Sequence, residues 1–242
     1  MYEEPNNLLT QEFKNASIYG DVISAIANGA HRVVEIQDKT KLENASIHNI
    51  LDKLMKTRIV EKRHAITDEK NNKKTQYVLM DGAFIFWYKF IPRAIPSIEI
   101  GNGKDYYENR VKPYIHDYMK EIFEKMCRYY LLLNGFSKDM PCSIYEVGKW
   151  YGSHTKKKEQ TDIDVVGLDT VENKAVLGEC KFRNIVVDKS VLDSLKERNG
   201  LIDRKYRTVA YYLFSLSGFS KWYNDNTDDT IRTICIDQMY DR

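Results

Sequence analysis

No apolar run in this sequence approaches the roughly 20 residues that a membrane-spanning helix needs, so a soluble chain with no membrane partner is expected. The opening Met1-Tyr2-Glu3-Glu4-Pro5 has neither the basic flank nor the apolar segment of a signal peptide. Cysteine is sparse: Cys127, Cys142, Cys180 and Cys235 are scattered without CxxC spacing, which argues against a zinc site or a disulfide framework and for a reducing, cytoplasmic setting. No GxxxxGK[ST] occurs, and Gly101-Asn102-Gly103-Lys104-Asp105 is too short to be one, so an ATPase function is not expected to reside in this chain. A strong charge of either sign is missing as well. The net charge of +2 is too small to imply nucleic-acid binding by itself, and the distribution of charge matters more.

The 242 residues suit one large or two small domains with ample length for a core. The most informative stretch runs from Ile163 to Leu168, through a polar turn at Asp169 to Asn173, and on from Ala175 to Phe182. Both arms are apolar on both faces and of strand length, the pattern of central strands covered on two sides. Yet Asp164 falls on the period-two face of Val166 and Leu168, while Glu179 and Lys181 fall on that of Ala175 and Leu177. An ionised carboxylate on a covered strand costs several kcal/mol or more unless paired, hydrogen-bonded or metal-bound. Two readings follow. In one, Lys181 neutralises a carboxylate and the hairpin holds an internal ion pair. In the other, two carboxylates and a backbone carbonyl hold Mg²⁺ or Mn²⁺ beside a lysine that orients water at a phosphodiester.

Toward the N-terminus, residues 1–14 are acidic and polar and read as an extended lead-in. Helical spacing then predicts helices over Tyr19 to Ala27, Val33 to Lys39 and Asn44 to Thr57. Ile59 to Arg63 and Gln76 to Leu79, separated by a polar turn, read as a β-hairpin. Three helices and a hairpin in this order make a winged helix-turn-helix, whose third helix enters the major groove of DNA. The solvent face of that helix carries Asn44, Ser46, His48, Asn49, Lys53 and Lys56, types able to meet base edges or phosphates. From Lys53 to Lys74 there are eight Lys or Arg against three Asp or Glu, and Lys62, Arg63, Lys73 and Lys74 on the wing complete a phosphate footprint. The bland alternative is a domain spacer with a solvated, lysine-rich turn.

Asp81 to Pro92 holds Phe84, Phe86, Trp87, Tyr88 and Phe90, which at helical spacing read as core rather than a stacking platform. Pro92, Pro96, Gly101 and Gly103 mark a linker over residues 92–105. A long helix is expected from Tyr107 or Lys112 to about Leu133, with Ile115, Met119, Ile122, Met126, Tyr130 and Leu133 as its buried stripe. Glu124 sits on the margin in the row of Cys127 and Leu131, where Arg128 is an i,i+4 partner. His154 with Lys156, Lys157 and Lys158 forms a basic loop before the Asp164 strand. Further strands at Ser143 to Tyr151, Thr208 to Ser215 and Ile231 to Ile236, with helices near Val191 to Lys196 and Gly218 to Tyr223, give an α/β sandwich order.

Asp164 followed by Glu179-Cys180-Lys181 resembles the core of the PD-(D/E)XK nuclease superfamily, without the proline before the aspartate. More specifically, the chain from about Tyr2 onward resembles the C-terminal part of a prokaryotic "archaeal ATPase" family, in which a nucleotide-binding domain precedes a winged helix and a nuclease-like domain of uncharacterised function. The residues that carry this resemblance are Asp81 to Phe90, Phe123-Glu124, Val147 to Gly152, Asp162 to Asp164 and Leu177 to Asn184. It implies a winged helix-turn-helix with lead-in over 1–91 and, over 106–242, a PD-(D/E)XK-like α/β sandwich with a mixed central sheet. It implies DNA as partner and an ATPase domain or partner upstream. It implies catalytic roles for Asp164, Glu179, Lys181 and Glu124, with Mg or Mn held by Asp164, Glu179 and the carbonyl of Cys180. The function expected is that of a DNA-associated protein with a metal-dependent endonuclease domain. The rivals are a non-catalytic regulatory module of an ATPase and a winged-helix DNA binder that does not cleave.

Overall fold

Apolar residues three and four apart organise the first half of the chain into helices. The computed structural model describes residues 4–68, 75–154 and 157–240, and divides into two units, Met1–His64 with Asn71–Ile115 and Ala65–Lys70 with His116–Arg242. In the first unit, α1 (Glu4–Glu12) and α2 (Ala16–Ala27) are joined by a short turn across which Phe13 stacks on Tyr19, ring centroids 3.9 Å apart. The lead-in expected to be extended is therefore helical over Glu4–Glu12. Leu9, buried at 1% exposure, anchors α1 among polar neighbours whose composition hid it. In α3 (Val33–Thr40) the Glu35 carboxylate reaches back to accept from the Arg32 backbone N–H, satisfying a donor that the first turn leaves open. In α4 (Asn44–Lys56) Ile47, Ile50, Leu51 and Leu54 face inward.

The hairpin follows as β1 (Val60–Arg63) and β2 (Gln76–Leu79), antiparallel from Val60↔Leu79 to Arg63↔Gln76. The aromatic run becomes α5 (Gly82–Phe90), capped by the Asp81 carboxylate, which accepts from Ala83 N at 2.6 Å. Its Ile85, Trp87, Tyr88 and Phe90 are core. Residues 92–105, read as a linker, carry α6 (Ile95–Glu99) and the start of α7 (Gly103–Tyr106), which runs through a π-helical turn at Tyr107–Val111 into α8 (Lys112–Asn134).

The second unit is a mixed α/β domain. Its five strands are β3 (Glu146–His154), β4 (Glu159–Asp169), β5 (Lys174–Lys181), β6 (Arg207–Ser215) and β7 (Ile231–Cys235), and they lie side by side in that order. The first two pairings are antiparallel and the last two parallel. Parallel neighbours need crossovers, and these contain α9 (Lys189–Glu197) and α10 (Trp222–Asn226). Both faces of the sheet are covered. Val166, Leu168, Ala175 and Leu177 pack with Val191, Leu192 and Leu195 of α9. Val165, Val176, Cys180 and Phe214 pack with Phe123, Cys127 and Leu131 of α8.

The buried row of α8 is thus Phe123, Glu124, Cys127 and Leu131, not the stripe from Ile115 to Leu133 that apolar spacing suggested. The helix is apolar on two sides, and Leu133 of the expected stripe is 47% exposed. Gly167 sets how closely α8 approaches, because a Cβ there would stand 2.8 Å from Leu131 Cδ2. Among the described residues no helix is long and apolar enough to cross a membrane.

Candidate functional site

A β-bulge decides where the charged residues of the hairpin point. Gly148 pairs with Val166, but Trp150 pairs with Ile163, so Asp164 and Val165 together oppose Lys149. An extra residue on one strand interrupts the alternation of faces and re-aims the side chains beside it. Accordingly Ile163 packs in the same cluster as Val166, three positions on, while Val165 belongs to the opposite cluster. Asp164 is carried with Val165 to the α8 side. The expectation that Asp164 shares the face of Val166, Leu168 and the Glu179 side chain is corrected by this single insertion.

On the α8 side the centre of the site is Lys149. Its Nζ stands 2.8 Å from Asp162 Oδ2, 3.0 Å from Glu124 Oε2 and 3.3 Å from Asp164 Oδ1. Arg128, one turn beyond Glu124 on α8, lies 3.6 Å from the Glu124 carboxylate and donates to the Asp164 backbone carbonyl at 2.8 Å. Glu124 thus makes the i,i+4 pair with Arg128 and also meets Lys149, which it shares with Asp164. The other Asp164 oxygen accepts from Cys180 N at 3.0 Å, so Cys180 meets the site through its backbone N–H. Counting formal charges, Glu124, Asp162 and Asp164 face Lys149 and Arg128, an excess of one negative charge.

That excess shows in the proton affinities. Burial, and then the neighbouring Asp164, hold the Glu124 carboxyl above its ordinary value. Burial works against the Lys149 charge, but Asp164, Glu124 and Asp162 outweigh it and the ammonium is held above its usual range. Burial likewise opposes the charge on Asp162, yet Lys149 prevails and its carboxyl is lowered. A carboxyl raised in the folded state favours folding below its unfolded value and withdraws that contribution as pH rises through the folded value. Glu124→Gln should therefore flatten the fall in stability that begins near pH 4.5, the ordinary value for this group. Urea denaturation of both proteins at pH 5 and pH 8 checks this. The variant is expected to gain on wild type between pH 5 and pH 8, and an unchanged difference would contradict the raised Glu124 carboxyl.

On the α9 side, Glu179 is buried and bidentate. One oxygen meets Lys181 Nζ and the other Arg198 Nη1, each at 2.5 Å. Arg198, at the C-terminal end of α9, also donates to the Asp162 carbonyl at 3.0 Å and so ties the two faces at the strand edge. Among the described residues, no group of three or more His, Cys, Asp or Glu side chains is placed to hold a metal ion. Glu179 is engaged by Lys181 and Arg198, and the point where Glu124, Asp162 and Asp164 converge is taken by the Lys149 ammonium.

Lys149, Asp162 and Arg198 were not singled out from sequence. A usable signal existed for Lys149, since alternation from Val147 puts it on a covered face where a lone lysine needs acidic partners. The basic loop is partly engaged: His154 is buried and accepts from Lys157 N, Lys157 pairs with Glu197 at 2.6 Å, and Lys156 lies outside the described residues.

In the first unit Asn44, Ser46, His48, Asn49, Lys53 and Lys56 are all exposed along α4, and Lys62 is exposed on β1. Arg63 is half-buried and pairs with Glu61. Lys73 and Lys74 lie outside the described residues.

Comparison with known proteins gives three likenesses and one match to a family model. An uncharacterized protein of Methanocaldococcus jannaschii is 25% identical over 183 residues, 75% of this chain, and the chain spans 39% of the length of that relative. Among solved structures, the protein VC1899 of Vibrio cholerae aligns over 94% of this chain and 50% of its own, at 15% identity and a TM-score of 0.35. A structure of Bordetella bronchiseptica BpsR, reported for the regulation of its DNA binding by 6-hydroxynicotinic acid, aligns over 52% of this chain and 92% of its own, at 14% identity and a TM-score of 0.27. Both scores are too low to bear on fold or function. Residues 87–198, which run from α5 through α9 and contain the Lys149 cluster, match the model of the family described as archaeal and bacterial proteins of unknown function, DUF234.

Proposed function

We propose that this chain is a DNA-associated module of a longer protein. It docks on duplex DNA through a winged helix-turn-helix made of α2, α3, α4 and the β1–β2 hairpin. Its α/β domain serves as a regulatory body whose hairpin charges are closed by ion pairs. The observation that carries the reading is the exposed polar face of α4, from Asn44 to Lys56, set between a buried apolar stripe and a following antiparallel hairpin. Lysines there and at Lys62 neutralise phosphates and release counterions, while Asn44, His48 and Asn49 are of types that meet base edges. The expected partner in the same polypeptide or complex is an ATPase domain, for which a relative matched over 39% of its own length leaves room.

Anisotropy of a labelled duplex tests the docking. The triple variant Lys53→Ala, Lys56→Ala, Lys62→Ala should bind about tenfold or more weakly than wild type at low salt. Equal affinity would remove α4 and the hairpin from the interface.

One observation favours a second reading, a metal-dependent nuclease: α8 brings Glu124 beside Asp164, as the nuclease resemblance implies. That reading requires Asp164 and Glu179 to meet on one face, a rearrangement of the bulge. Incubation of plasmid, linear, single-stranded and branched DNA with Mn²⁺ or EDTA separates the two. Metal-dependent cutting abolished by Lys181→Ala would establish the nuclease, and intact DNA with folded protein leaves the ion-paired body.

A further inference from the structure

The exposed surface of α4 has two edges, and one of them borders a groove. Ser46, Asn49, Lys53 and Lys56, at i, i+3, i+7 and i+10, line it from α4, and the turn between α1 and α2 lines it from the other side. The groove encloses 660 Å³, within the range of about 300–1,000 Å³ common for small-molecule sites. Its floor is apolar and aromatic. Phe13 and Tyr19 stack with their rings 8° from parallel, and Ile18, Leu42 and Ile50 extend the surface. Its charge is positive, with Lys14, Lys53 and Lys56 against the single carboxylate of Glu12. Lys53 Nζ already lies 5.9 Å from the Tyr19 ring centroid, so an ammonium is poised over the aromatic floor.

We propose that this groove binds a small aromatic or otherwise apolar molecule carrying a negative charge, and that its occupancy competes with DNA for α4. The ring of such a ligand would lie against Ile18 and the Phe13–Tyr19 stack, and its anionic group would meet Lys14, Lys53 and Lys56. Four of the six α4 residues assigned to DNA line the groove, so a bound anion draws their lysines away from phosphate and covers Ser46 and Asn49. The competition rests on the DNA-docking reading, whereas ligand binding itself does not.

The probe is 8-anilino-1-naphthalenesulfonate, an apolar aromatic anion whose fluorescence rises in apolar surroundings, titrated into the full chain. Three variants accompany wild type: Lys14→Glu and Ile18→Asp in the groove, both at exposed positions outside the DNA set, and Leu132→Asp on an exposed apolar turn of α8. Saturable binding weakened about tenfold by either groove substitution and unchanged by Leu132→Asp is the expected result. Unfolding curves confirm that the variants are folded, and Lys14→Glu, a surface charge change, stands alone if Ile18→Asp does not fold. No binding, or binding lost only in Leu132→Asp, would overturn the site. Duplex DNA should then displace the bound probe. Duplex that binds without displacing it would overturn the competition, and duplex that fails to bind at all would count against the docking reading while leaving the ligand site in place.

Discussion

Replacing Lys149 with alanine is expected to cost about 3–5 kcal/mol of folding stability. The side chain is 21% exposed and its ammonium is within 3.3 Å of Asp162, Glu124 and Asp164. Removing it leaves those carboxylates with Arg128 as the remaining cation of the cluster, and a carboxylate that has left water without a partner is far more costly than the pair was favourable. The deficit should shrink as pH falls, because the buried Glu124 carboxyl, held above its ordinary value, takes up a proton and no longer needs the ammonium. Lys149→Arg should recover part of the loss. Urea unfolding at pH 7 and pH 4 measures all three effects. A cost under about 1 kcal/mol at pH 7 would mean that the cluster behaves as an exposed set of ions rather than a closed network.

Phe123→Ala is expected to be equally severe, at about 3–5 kcal/mol, because it empties a fully buried site between α8 and the sheet. Phe123 also packs its ring 5.5 Å from that of Phe182, the residue that follows β5. Leu133→Ala, at a position the apolar pattern assigned to the buried stripe, should cost less than about 1 kcal/mol, since the residue is already 47% exposed. Chemical denaturation of the two variants compares the two faces of α8 directly. Equal costs would contradict the burial of the Phe123 row. A loss at Phe123 would also loosen Glu124, its neighbour in the same row, from Lys149.

These two residues show how much of the molecule could be read in advance. From α2 to the hairpin the elements were legible because each obeys one period: Ile47, Ile50, Leu51 and Leu54, for example, repeat at helical spacing and are buried. The central strands were legible because they are apolar on both faces, which the packing of α8 and α9 on the two sides explains. That same property hid the bulge. Where Ile163, Val165, Val166 and Leu168 are apolar on both faces of β4, alternation carries no mark of an inserted residue, and the pairing of Trp150 with Ile163 reveals it. For α8 the difficulty was the reverse, with two apolar rows of similar strength and nothing local to choose between them. Glu124 held the answer, as a carboxylate in the row of Cys127 and Leu131, but its burial follows from Lys149, 25 residues away. The cations of the site were hardest to foresee. Lys149, Arg128 and Arg198 come from three separate elements, and their meeting is set by tertiary pairing rather than by spacing.

The proposal that α4 and the hairpin dock on DNA is tested most directly by the salt dependence of duplex affinity, measured by anisotropy between about 50 and 200 mM salt. For the wild-type chain the logarithm of affinity should fall linearly with the logarithm of salt. The slope should become shallower by about 2.7 in the Lys53, Lys56 and Lys62 alanine variant, about 0.9 for each phosphate contact removed. A slope identical in the two proteins, or no saturable binding at the lowest salt, would contradict the account.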